Sequence, residues 1–251
     1  MNILKTHTVT TKQADTFLVY WANSTHRIGG VLNVRVTAKI EDRHSAAELA
    51  AMQHLLEVKS VLGNKLVGNA GTQLTVSLGA IRKLHRSQSD KGHLAAYAKF
   101  LTTRFAGCKL SVDKETRWFS GFEFEAEATE DLLVNGPMRE TLNITGVGEV
   151  EITQHVLARF TDRVLSTTAP DKAAQAAWKK LNAIASDTSV REVTRSSLWN
   201  AAKYMREVRQ EGRYFLNAKR DLVLVVTDNP REGMRLVTTY PATSQFQALA
   251  A

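Results

Sequence analysis

The sequence predicts an α+β protein in two parts, a mixed-sheet domain followed by helices packed on an antiparallel sheet. Three observations predict it. Short β-forming runs surround a single strong amphipathic helix in the first half. Amphipathic helices dominate from Thr153 to Gln210, and a run of strands with polar turns closes the chain. At 43% hydrophobic and 23% charged residues over 251 positions, the composition is that of a globular chain with room for two domains.

In order, Thr16 to Trp21 is rich in β-formers and ends at Asn23-Ser24; Gly29-Gly30 then precedes an alternating strand from Val31 to Ile40. A helix is expected from Ser45 to about Val61, where Ser45 and Glu48 stand at capping-box spacing and Leu49, Met52, Leu55 and Leu56 recur helically. Gln73 to Leu78 reads as a strand and His93 to Phe105 as an amphipathic helix. Lys109 to Asp113 and Trp118 to Glu127 read as further strands. Past a boundary at 145/146, near Gly146 and Gly148, helices are expected at Thr153 to Leu165, Asp171 to Ala185 and Ser196 to Gln210. Tyr214 to Asn217, Leu222 to Thr227 and Arg235 to Tyr240 follow as an antiparallel meander, with Asp228 to Gly233 as the clearest turn. There is no internal repeat.

Lys and Arg number 33 against 25 Asp and Glu, a formal +8 that favours a polyanionic partner through phosphate neutralisation. The single cysteine, Cys108, excludes an intrachain disulfide and a thiolate zinc cluster, and its apolar setting reads as a buried thiol. The N-terminus lacks an apolar core of signal length and no run approaches a membrane span, so a cytoplasmic location without membrane association is expected.

Two stripes carry the candidate chemistry. His155, Arg159 and Arg163 lie four apart on one helix, bordering the Val156/Phe160/Val164 face. Arg195, Lys203, Arg206 and Arg209 form a second basic stripe, with Arg213 just beyond. Trp199, Tyr204 and Tyr214 are interleaved with that charge, a pattern suited to base stacking plus backbone contact on single-stranded nucleic acid.

The pattern of residues 13–115, with Ser45-Ala46-Ala47-Glu48-Leu49-Ala50-Ala51-Met52 as its best local match, resembles the RNase H-like fold. The resemblance implies that Glu48 belongs to a carboxylate set holding two divalent ions. The family's other aspartates would fall near Ala22 and Leu78, so this half is expected to be a scaffold lacking most catalytic acids and binding no metal. Residues 150–242, through the His155-x3-Arg159-x3-Arg163 helix and the late Leu236-Val237-Thr238-Thr239-Tyr240 strand, resemble the barnase, EndoU, colicin and RelE superfamily of metal-independent ribonucleases, especially its phage-associated branches. That resemblance implies His155 as acid or base, Arg159 and Arg163 as phosphate contacts, and Thr238 or Tyr240 as orienting groups. His155 is the only histidine after residue 93, leaving the second proton-transfer role to Tyr204, Tyr214, Tyr240 or Glu207. The expectation is an RNA-binding protein without a cofactor, contacting single-stranded RNA through its C-terminal domain and, as the resemblance implies, phage-encoded. The alternatives are a metal-independent endoribonuclease of toxin or host-shutoff type, and an interaction module inhibiting a host nucleic-acid enzyme.

Overall fold

A computed structural model describes residues 2–26, 28–63, 68, 71–120, 129–165, 170–193, 212–229 and 233–242. The chain is α+β, and the described residues form two six-stranded sheets. It divides into two compact units, Met1–Met138 and Arg139–Ala251. The division precedes the expected 145/146 boundary because a hairpin spanning residues 141–152 belongs entirely to the second sheet.

Unit 1 opens with an antiparallel meander: β1 (Asn2–Thr10), β2 (Thr16–Asn23) and β3 (Ile28–Val36). α1 (Arg43–Glu57), β4 (Thr72–Val76), α2 (Gly79–His85), α3 (Lys99–Thr102), β5 (Lys109–Val112), α4 (Arg117–Ser120) and β6 (Thr129–Val134) follow. The sheet order is β5-β4-β1-β2-β3-β6, with β4 parallel to both β1 and β5, and β6 parallel to β3. Leu4, Thr6 and Thr8 of β1 turn inward with Val19, Leu32 and Val34, and α1 lies over β1, β2 and β3. Ala46, Ala47, Ala50 and Ala51 are small enough to bring that helix close, so it is buried from Ser45 to Leu56.

Several expectations are corrected here. β1 is a strand that the sequence pattern does not predict. Gly29 and Gly30 lie inside β3 rather than before it, because the Trp21 indole of β2 fills the space over Gly30; a Cβ there would stand 3.0 Å from its Nε1. Residues 93–105 form no continuous helix; a turn at Gly92–Leu94 and the single turn of α3 bury Leu94, Tyr97, Phe100, Leu101 and Phe105 all the same. Trp118 to Ser120 are helical, not extended, and the rest of that expected strand lies outside the described residues. Ser45 and Glu48 make no capping box: α1 starts earlier, at Arg43, its N-cap Asp42 makes no side-chain cap bond, and Glu48 points into the core.

In unit 2, β7 (Thr141–Ile144) and β8 (Gly148–Ile152) form the hairpin, Gly146 supplying a φ of +81° at its turn. α5 (Gln154–Val164), α6 (Pro170–Ala185), β9 (Val190–Val193), β10 (Arg213–Asn217), β11 (Leu222–Asn229) and β12 (Gly233–Pro241) complete it. The order is β7-β8-β12-β11-β10-β9. The sheet is mixed rather than purely antiparallel, since β12 runs parallel to β8. Thr153 caps α5 by accepting the Val156 N–H at 3.2 Å. Val156, Leu157 and Phe160 of α5 pack with Ala177, Trp178 and Leu181 of α6 in the core of this unit. Tyr214, Leu216, Val223 and Val225 form a separate apolar cluster, because alternate residues of β10 and β11 point to opposite faces.

Candidate functional site

The stripe on α5 is where the helical spacing places it. His155 and Arg163 are exposed and Arg159 is half-buried, beside the buried Val156 and Phe160. Eight residues separate His155 from Arg163, a rise of about 12 Å along the axis. Arg163 is tied to the sheet: its guanidinium donates to the Thr239 carbonyl and lies 3.4 Å from Thr238 Oγ1. β8 meets β12 at Arg235 and Leu236 only, so Thr238 and Thr239 lie beyond that pairing and the arginine supplies a donor there. Thr238 is itself buried, and Tyr240, half-buried, packs against the cluster of Tyr214, Leu216, Val223 and Val225. The structure therefore brings Arg163 and Thr238 together and leaves His155 two turns away.

Two of the expected RNA contacts, Arg213 and Tyr214, lie on β10. Tyr214 is 2% exposed and has no ring face to offer a base. Arg213 spends its charge within the sheet: Nε and an Nη bond the two Glu192 oxygens at 2.8 and 2.7 Å, and its guanidinium carbon lies 5.2 Å from the Phe215 ring centre. This pair holds the Glu192 carboxyl below its usual range. Arg195, Trp199, Lys203, Tyr204, Arg206, Glu207 and Arg209 lie outside the described residues, as does the expected helix that carries them.

In unit 1, Glu48 is fully buried, and its partners come from β1 and from the residue that follows β4. Its Oε1 accepts from Thr6 Oγ1 at 2.9 Å and from the Ser77 N–H at 2.7 Å; Oε2 accepts from Ser77 Oγ at 2.7 Å. Burial pushes this carboxyl up to about 7, against the pull of the Ser77 and Thr6 donors. The positions facing Glu48 are thus Thr6 on β1, not the expected neighbourhood of Ala22 on β2, and Ser77 after β4, next to the expected Leu78. Two hard divalent ions need several converging carboxylates; here one carboxylate meets two hydroxyls, a set that does not fit them. Among the described residues no three His, Cys, Asp or Glu side chains converge.

The outer face of the same sheet holds what the sequence did not disclose. A cavity of about 780 Å³ lies between Ile3 and Lys5 of β1, Gln73 and Thr75 of β4, Ser111 and Asp113 around β5, and Trp118 of α4. Lys5 Nζ bonds Asp113 at 2.6 Å and stands 4.8 Å from the Trp118 ring centre. The ammonium beside Asp113 holds its carboxyl below the ordinary value. Nearby, Phe119 stacks on Tyr20, ring centres 4.3 Å apart.

Among the described residues no helix is long and apolar enough to cross a membrane. Comparison with family models, curated proteins and solved structures finds no match.

Proposed function

We propose that the chain binds single-stranded RNA through the α5 ridge of unit 2 and holds it without cutting. The observation that carries this reading is the spread of His155, Arg159 and Arg163 over about 12 Å of helix, with Arg163 already committed to β12. In-line cleavage requires acid, base and charge stabilisation to converge on one phosphate. A ridge of separated cations instead tracks a backbone over several phosphates. The order β1-β2-β3-α1-β4-α2-α3-β5 supports an RNase H-like scaffold in unit 1, and the hydroxyl cage of Glu48 supports one that has lost metal chemistry.

The test is labelled single-stranded RNA mixed with the protein in EDTA. Retarded, intact RNA is expected. His155→Ala with Arg159→Ala is expected to weaken binding and to lower the slope of log affinity against log salt by about 0.7 for each phosphate no longer neutralised. An unchanged slope would place the RNA elsewhere on the protein. Cleavage to 2′,3′-cyclic phosphate ends that His155→Ala abolishes would establish the endoribonuclease instead.

A further inference from the structure

The cavity on the outer sheet face of unit 1 has a polar floor with unspent hydrogen-bonding capacity. Gln73 Nε2 donates to Thr75 Oγ1 at 3.3 Å and to Ser111 Oγ at 3.1 Å, and the two hydroxyls are 3.0 Å apart. Both amide hydrogens are used, and one hydroxyl hydrogen is used between Thr75 and Ser111. Among the described residues that leaves the Gln73 carbonyl oxygen as an acceptor and one hydroxyl hydrogen as a donor, side by side on a strand-borne surface. Strands hold such groups more rigidly than loops do.

The remaining walls limit what fits. Ile3, Ala22, Ile28 and Val112 are apolar, and Trp118 closes one side. Among the described residues, the only full charges lining the cavity are Lys5 and Asp113, which neutralise each other. A phosphate or carboxylate would meet the Asp113 carboxylate beside Lys5, whereas an uncharged ligand meets no like charge. At about 780 Å³ the volume lies within the range of small-molecule sites. A nucleobase is an uncharged ligand that presents a donor and an acceptor side by side on one edge, as this floor requires.

We infer that this cavity is a nucleobase-binding site, with the Gln73 amide and the Thr75/Ser111 hydroxyl pair reading one edge of the base. The base comes either from a free nucleoside or from single-stranded RNA with one nucleotide turned out of its stack. The site is independent of the α5 ridge.

Isothermal titration of the whole protein with adenosine, guanosine, cytidine and uridine, each at millimolar concentration, tests it. At least one nucleoside is expected to bind saturably, and ribose 5-phosphate is expected not to bind. Gln73→Leu keeps the bulk of the side chain and removes the amide; affinity is expected to fall at least about tenfold, as when one polar partner is removed from a desolvated site. Ile28→Trp, at a 45% exposed position on the cavity wall that tolerates a larger side chain, is expected to block binding with no change in thermal stability. A short RNA oligomer that displaces the bound nucleoside identifies RNA as the source of the base; failure to displace it identifies the free nucleoside. Absence of binding by all four nucleosides would overturn the inference, as would equal affinity in the native protein and a folded Gln73→Leu. His155→Ala with Arg159→Ala leaves nucleoside titration unchanged, which separates failure here from failure of the ridge.

Discussion

Replacing Glu48 with glutamine is expected to change the pH dependence of stability more than stability itself. The amide fits the same cage: its oxygen accepts from Thr6 Oγ1 and the Ser77 N–H, and its nitrogen donates to Ser77 Oγ. The native carboxyl moves from 4.5 to about 7 on folding, so the folded chain holds this proton more tightly than the unfolded one. Its contribution is fully present below pH 4.5, declines as pH rises, and has levelled off above about 7. The decline amounts to about 3 kcal/mol over that window. Glutamine does not titrate. The two proteins are therefore expected to match within about 1 kcal/mol at pH 4.5, with the variant ahead by about 3 kcal/mol at pH 8. Urea unfolding of both proteins at the two pH values measures this, and the lowered carboxyls Asp42, Asp113 and Glu130, present in both, cancel in the comparison. A gap that is the same at both pH values would refute the picture of a desolvated carboxyl caged by hydroxyls.

Two further expectations concern the frame. Arg104 and Glu57 form a largely buried ion pair at 2.8 Å; Arg104→Met removes the cation and leaves the carboxylate with the Gln53 amide, and is expected to cost about 3 kcal/mol, read by chemical denaturation. Arg163→Met removes the donor to the Thr239 carbonyl and is expected to cost about 1–3 kcal/mol, whereas Arg159→Met leaves stability within about 0.5 kcal/mol. Equal melting temperatures for the two arginine variants would remove Arg163 from its place on β12.

The α+β class was legible because an unbroken run of apolar β-formers marks Leu222 to Val226 and helical periodicity marks α5. β1 escaped because its inward positions are Thr6 and Thr8, so it lacks the apolar alternation that marks a half-buried strand. The same two threonines explain why the surroundings of Glu48 were misplaced: with β1 unseen, β2 stood in for it and Ala22 took the place of Thr6. The α5 stripe was legible because helical spacing alone sets which residues share a face. Tyr214 was not, since a tyrosine next to arginines reads the same whether its strand has one buried face or two. Arg213 meets Glu192 across the β9/β10 pairing, and Glu48 meets residues 42 and 29 positions away; contacts made by strand order leave no local trace. The cavity floor is of that kind too, since Gln73 and Ser111 become neighbours only through the parallel register of β4 and β5.

The strand order of unit 2 also governs when it can fold. β7 and β8 form one piece of its sheet and β11, β10 and β9 the other, and β12 is the strand that joins them. A nascent chain emerging from the ribosome holds two incomplete half-sheets, each with an open hydrogen-bonding edge, until residues 233–241 are free to insert. Assembly is therefore expected to wait for β12 and to be slowed by the long loop that β8 and β12 must close. Until then, those edges are the surfaces most exposed to pairing with another chain.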